Sequence, residues 1–340
     1  MQERSKEFRG EVWTGVHPRI MEAILKANDL PVDGCVGKDS HTLYATSLMQ
    51  RELRAKIAAV YTVSGTAANI LALKMMLDPW SAVICAKETH INVYECGALE
   101  YNLGNKILYA DSEDGKLSPN LLDTLMKGVG KYHYLPKVVV VTQPTEFGTV
   151  YTEEELSAVT RWAHERGMYV YLDGARLANA LVARETTIGA MIEGADVDVF
   201  SFGGTKAGCM FGEMVVFRRE QFANNLDYAQ KQSLQHMDKS RYLGAQMAAL
   251  LETELWRENA RIANEKARVL ADRLERGGYP AYYPVESNAV FITVSPERLA
   301  RLNTVYDFHY WNEFAHTVRL VTTYATSDGE MDRLLRLLTE

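Results

Sequence analysis

Ser201-Phe202-Gly203-Gly204-Thr205-Lys206-Ala207-Gly208 sets one lysine among glycines and apolar residues, directly after an apolar run. Most lysines are solvated surface charges. Here the glycines permit close backbone approach, and desolvation lowers the ammonium pKa towards a nucleophilic amine able to form a Schiff base. A second string, Tyr169-Val170-Tyr171-Leu172-Asp173-Gly174-Ala175-Arg176, is again a strand-like run entering a turn. It puts Asp173 at the carboxyl end of a sheet, where open α/β sheets gather ligands. Asp173 could equally N-cap the following helix. Beside a buried lysine, however, an aspartate can hold a heteroaromatic ring nitrogen protonated and so deepen an electron sink. Arg176 taken alone reads as a surface ion pair of little worth.

Two further strings complete the set. Ser64-Gly65-Thr66 opens a helix after a strand-like run over 60–63, and small residues at a helix start leave backbone N–H groups and the positive dipole end free for a phosphate. A plain N-cap has the same appearance. His90, in Lys87-Glu88-Thr89-His90-Ile91-Asn92, falls just beyond an apolar run over 82–85. A lone histidine is more often structural, but a strand-end position favours a functional one.

These residues need a sheet to hold them. Apolar runs over 82–85, 106–109, 138–142, 168–172, 197–202 and 214–217 alternate with amphipathic stretches over 66–77, 118–127 and 152–166, the pattern of a mostly parallel sheet covered by helices. Thr152 followed by Glu155 reads as a capping box. Beyond Phe217, a polar amphipathic stretch over 240–276 predicts one extended helix, followed by strands over 289–294 and 318–322 and a helix over 329–338. The expected organisation is α/β: a large domain over 1–245, whose N-terminal segment partly joins a smaller α+β C-terminal domain over 246–340. The first 50 residues read as too short and irregular for a domain of their own. No internal repeat is visible.

Composition narrows the function classes. With 37 Lys+Arg against 44 Asp+Glu in 340 residues, the formal net charge is −7, and no basic run supplies the face that nucleic acid requires. Cys35, Cys85, Cys96 and Cys209 include no C-x-x-C pair and no metal-ligand spacing, so no metal is expected and the thiols read as reduced. Neither a signal-type apolar stretch in the first ten residues nor an 18-residue apolar span is present, which predicts a cytoplasmic protein without a membrane partner.

A phosphate cradle, a ring-facing histidine, a ring-nitrogen aspartate and a Schiff-base lysine, in that chain order, resemble the fold type I enzymes that use pyridoxal 5′-phosphate. The strings SGTAAN, ETHINVYECGA, QPTEFGTVYT, YLDGARLANA and SFGGTKAG are similar to the low-specificity threonine aldolase and β-eliminating lyase family. The resemblance runs almost continuously from Ala58 to Leu250 and returns at Ser287-Asn288-Ala289-Val290-Phe291 and Val318-Arg319-Leu320-Val321. It implies that Lys206 carries the cofactor as a Schiff base, Asp173 contacts the pyridinium nitrogen and His90 stacks on the ring. Ser64, Gly65, Thr66 and Thr205 would hold the phosphate, and Gln143 would belong to the cofactor set. Arg176 would lie by the phenolate oxygen or the substrate carboxylate, and Arg319 would clamp that carboxylate. His90 would be the candidate base for a β-hydroxyl proton. The resemblance also implies a homodimer or homotetramer with its active site at the subunit interface.

Three places depart from the family pattern. Gly10-Glu11-Val12 stands where a serine-aspartate-asparagine triplet is usual, Val36-Gly37-Lys38-Asp39 replaces Y-G-D-D, and a basic interface segment is reduced to Lys231 with Gln235. The expected activity is cleavage of a β-hydroxy-α-amino acid to glycine and an aldehyde. The alternatives are β- or γ-elimination or replacement on a different amino acid, or cofactor binding without catalysis.

Overall fold

The computed structural model describes residues 4–29, 33–312 and 314–339. Seven strands form the main sheet: β1 (Ala58–Thr62), β2 (Ser81–Ala86), β3 (Lys106–Ala110), β4 (Leu135–Thr142), β5 (Tyr169–Asp173), β6 (Val199–Gly203) and β7 (Glu213–Phe217). Their order is β1-β7-β6-β5-β4-β2-β3, parallel except for β7, which runs antiparallel to both β1 and β6. β2, β6 and β7 are buried along their whole length, which explains runs without polar alternation. One hydrophobic cluster lies on each face of the sheet. The expected capping box is present: Glu155 N–H donates to Thr152 Oγ1 at 3.2 Å and Thr152 N–H to Glu155 Oε2 at 2.8 Å.

A three-stranded antiparallel sheet follows, β8 (Ala289–Thr293), β9 (His309–Asn312) and β10 (Thr317–Val321), in the order β8-β10-β9. A third core joins it to the helices Leu255–Arg276 and Asp328–Thr339. The N-terminal segment takes part: Ser5 bridges Tyr306 and Phe8 is buried in this third core. The segment 240–276 is not one helix. It forms Arg241–Glu252 and Leu255–Arg276, broken where Glu254 adopts φ 49°. The break lets each half serve a different surface. The first packs on the helix Ser40–Leu53, while the second carries Trp256 and Ala260 into the large core and Ala267, Leu270 and Leu274 into the small one. We propose that the units divide near residue 245, with the second helix as the bridge.

Two helices, Pro18–Lys26 and Ser40–Leu53, lie in the stretch expected to be irregular. Their caps are local: His17 accepts from Arg19 N–H and is followed by proline, and Asp39 accepts from Thr42 N–H at 2.9 Å.

Candidate active site

The carboxyl ends of β4, β5 and β6 open onto a cavity of about 280 Å³ whose walls include Gly65, Asn69, His90, Glu146, Asp173, Arg176, Lys206 and, from the small sheet, Arg319. Residues from five separate strings converge there because parallel strands end on one edge, and the small antiparallel sheet adds Arg319. β7 returns antiparallel, so the lysine sits in a short connection closed on itself: Gly204 N–H and Thr205 N–H both donate to Gly212 O, and Gly212 N–H donates to Thr205 Oγ1 at 3.0 Å. Gly203 packs so tightly that a Cβ there would lie 2.3 Å from Ala175 O. Burial, then Arg176, pushes the Lys206 ammonium down from its ordinary value, against the pull of Glu11, Asp173 and Glu213. Glu213, the first residue of β7 and also buried, is pushed up to about 7 by burial.

Asp173 is buried at the end of β5. It does not cap the next helix, whose N-cap residue is Arg176. Its Oδ1 accepts from Ala175 N–H at 3.0 Å and its Oδ2 from Asn69 Nδ2 at 3.1 Å. Asn69 also donates to Glu95 Oε1 at 2.7 Å and accepts from Tyr171 OH at 2.7 Å. One amide thus stands between two buried carboxylates and is oriented by a phenol. Glu95 in turn lies 2.8 Å from His90 Nδ1, which places the imidazole proton on Nδ1 and holds the ring against the cavity.

Arg176 is not a surface pair. Its guanidinium donates to Glu11 Oε1 at 2.6 Å and Oε2 at 2.9 Å, and Asn288 Nδ2 adds a third bond to Oε1 at 2.7 Å. Burial opposes ionisation of Glu11, but Arg176, with help from Lys206 and Asn288, outweighs it and lowers the carboxyl to about 2. Arg319 is the opposite case. It makes no ion pair among the described residues, its Nε is buried without a partner, and burial followed by Arg176 pushes it down to about 10. A guanidinium held so invites an outside carboxylate.

Glu11 also supplies a stability test. Its folded pKa lies below the ordinary 4.5, so its contribution is present above that value and is lost as pH falls towards 2. The shift corresponds to about 3 kcal/mol. Chemical denaturation followed from pH 6 to pH 2 will show a loss of stability that is flattened in Glu11→Gln.

The structure brings together Gly65, His90, Asp173, Arg176, Lys206 and Arg319, and leaves other candidates aside. Ser64 is exposed and caps its helix by accepting from Ala67 N–H at 3.3 Å. Ser64, Thr66 and Thr205 do not line the cavity, though each is next in the chain to a residue that does. Gln143 is turned away, exchanging bonds with the Tyr151 backbone in both directions at 3.0 Å. Of the three departures from the family pattern, only Gly10-Glu11-Val12 reaches the cavity, with all three residues in its wall. Lys38 is exposed on a turn whose Asp39 caps Ser40–Leu53 and accepts from Ser240 Oγ. Gln235 accepts from Val63 N–H at 3.1 Å, and Lys231 lies 3.3 Å from His236 Nδ1. Asn69, Glu95, Glu146 and Glu11 were not among the residues expected to form the site. All four sit inside strings already singled out, Glu11 only through the departure Gly10-Glu11-Val12, and Glu146 has the same signal as Asp173 and Lys206: a charged residue at or just after the end of an apolar strand.

The donor set suits an anionic aromatic aldehyde cofactor. The helix Gly65–Met76 starts at the cavity, a Cβ on Gly65 would meet nothing within 4 Å, and a depressed lysine faces the same space as a buried aspartate. Residues 9–297 match the model of the beta-eliminating lyase family. A low specificity L-threonine aldolase from Pseudomonas sp. is 34% identical over 305 residues, covering 89% of this chain and 88% of the relative. A solved threonine aldolase from Leishmania major superposes with a TM-score of 0.91 at 30% identity, covering 98% of both chains. Aspartate aminotransferase from Thermus thermophilus, at 20% identity and TM-score 0.72, shares the fold. By sequence and by architecture alike, the chain belongs to the beta-eliminating lyase family.

Proposed function

We propose that this protein is a pyridoxal 5′-phosphate-dependent carbon–carbon lyase that cleaves a β-hydroxy-α-amino acid to glycine and an aldehyde. The observation that carries the reading is a partly buried, depressed lysine facing a buried aspartate in one cavity, with Arg319, which makes no ion pair among the described residues, opposite. The cofactor, when bound, supplies the electron sink that accepts the pair from a broken Cα bond. Everything else falls to the chain. Lys206 holds the cofactor aldehyde and Gly65 the phosphate end, with Ser64, Thr66 and Thr205 at its border. Asp173 keeps the ring nitrogen protonated, and His90 covers the ring face.

Arg319 takes the substrate carboxylate. Arg176 commits Nε and Nη2 to Glu11, so it fixes Glu11 and leaves only its remaining N–H groups for cofactor or substrate. The clamp on one carboxylate would fix the orientation of the Cα substituents, and with it which Cα bond the cofactor's electron sink could labilise. Gly10 provides no hydroxyl to share the carboxylate, so the load on Arg319 is greater. The substrate is a free amino acid in this reading. Val63, which precedes Ser64, Phe211, which follows the lysine turn, and Leu234, next to the Gln235 that bonds Val63 N–H, are exposed apolar residues, and we propose that a second copy of the chain covers the phosphate end, as a dimer or tetramer. No helix among the described residues is long and apolar enough to cross a membrane, and a cytoplasmic location is part of the proposal.

Supplying L-threonine and L-allo-threonine separately to the cofactor-loaded protein, and measuring acetaldehyde and glycine in equal amounts, tests the reading. Turnover of either is expected. Elimination products such as ammonia and a 2-oxo acid, with no glycine, would move the chain to the elimination alternative.

A further inference from the structure

Glu146 is a pocket-lining carboxylate with no role in the account above. Its Oε1 accepts from His90 N–H at 2.7 Å, and no side chain among the described residues hydrogen-bonds the carboxylate. The turn that carries it is clamped on every side. Thr145 N–H donates to Thr149 O and Gly148 N–H to Thr145 O, both at 2.9 Å. The Thr145 and Thr149 hydroxyls meet at 2.7 Å and both reach Asp114 O. Phe147, next in the chain, is caged edge-on by Tyr283 and Trp311 at 4.9 and 5.0 Å. Gly148 holds φ 80° against Ala289 and Ser287. A surface glutamate samples many rotamers, whereas this one is delivered into the cavity by a turn that has no freedom.

We propose that Glu146 is the base that takes the β-hydroxyl proton during cleavage, an assignment that rests on the lyase reading. The hydroxyl O–H bond breaks and its proton passes to a Glu146 oxygen. The Cβ–O bond becomes the aldehyde carbonyl as Cα–Cβ breaks. The electron pair stays with the Cα fragment, which regains a proton to give glycine. His90 serves the ring and, through its backbone, steadies the base.

The electrostatics suit the task. Burial and the facing Asp173 raise the Glu146 carboxyl to about 7, against lowering by the His90 backbone and side chain. Tyr94, Arg176 and Arg319 also sense its charge. A base with a value near the working pH combines availability with driving force. It is protonated and idle below about 7 and competent above, so cleavage should rise with pH across that range.

The test compares wild type and Glu146→Gln as cofactor-loaded proteins. In the variant, kcat/KM for the β-hydroxy amino acid should fall about 10²-fold and the acid limb of its pH profile should vanish. Exchange of the glycine Cα proton with deuterium, followed by NMR, needs no hydroxyl base and should continue at the wild-type rate, and the thermal midpoint should be unchanged. Glu146→Asp should restore part of the cleavage. A variant that keeps both cleavage and the acid limb overturns the assignment, and so does one that loses exchange in proportion to cleavage. A wild type that releases no aldehyde from any β-hydroxy amino acid overturns the lyase reading itself, and the assignment with it.

Discussion

Lys206→Ala will abolish the absorbance near about 420 nm that a protonated Schiff base of the cofactor gives, and will lower cleavage on the order of 10⁴-fold, the scale on which removal of a covalent catalytic group acts. Two properties of the site make the loss so complete. The lysine is held where burial and Arg176 disfavour its charge, so its amine is freed more readily than that of a solvated lysine. No second lysine lines the cavity, so none among the described residues can take its place. The hairpin frame around it is made of backbone bonds and Thr205 Oγ1, so truncation removes chemistry without removing the fold. Spectra of reconstituted wild type and variant at matched cofactor concentration, with aldehyde release measured in parallel, check both halves. A variant that retains the band, or cleaves at a tenth of the wild-type rate, would displace Lys206 from its role.

Asp173→Asn should lower the cleavage rate by about 10²–10³-fold while leaving the cofactor bound, because the change removes charge and preserves shape. The carboxylate accepts from Ala175 N–H and Asn69 Nδ2, and an amide can accept only one of the two with its oxygen. A donor is then left facing a donor, at a cost of about 1–3 kcal/mol, and Asn69 loses one of the anchors of the path to Glu95 and His90. The outcome should be a slow enzyme with a shifted cofactor spectrum and a slightly lowered melting temperature. Rate constants from single-turnover mixing, with cofactor content measured on the same sample, separate lost electron withdrawal from lost binding. Unaltered rates at full cofactor occupancy would show that the ring nitrogen has another partner.

The sequence was most legible where physics repeats itself. Fully buried parallel strands must be continuous apolar runs, and β2, β4, β5 and β6 stand within a few residues of their expected bounds. Strand ends then marked Lys206 and Asp173. Less legible were residues whose importance comes from who faces them. Asn69 looks like any polar residue in a helix until Tyr171, Glu95 and Asp173 meet around it. Glu11 lies 165 positions from Arg176, and no local pattern could pair them. Arg319 was found through family likeness alone, since an alternating strand arginine gives no sign that its guanidinium is unpaired. The break at Glu254 was missed because both flanking stretches are good helix formers, and two different cores decide where the helix stops.

The division of labour between the two sheets has a mechanical side. Lys206, Asp173 and Glu146 all hang from the edge of the large sheet, whereas Arg319 belongs to the small one. Rocking one sheet against the other would therefore change the reach of the proposed carboxylate clamp and leave the spacing between lysine and aspartate untouched. Glu11 is the strut across that joint, bonded to Arg176 on one side and to Asn288 on the other. Substrate capture and electron withdrawal can thus be retuned independently, the first by altering the strut and the second only by rebuilding the sheet edge.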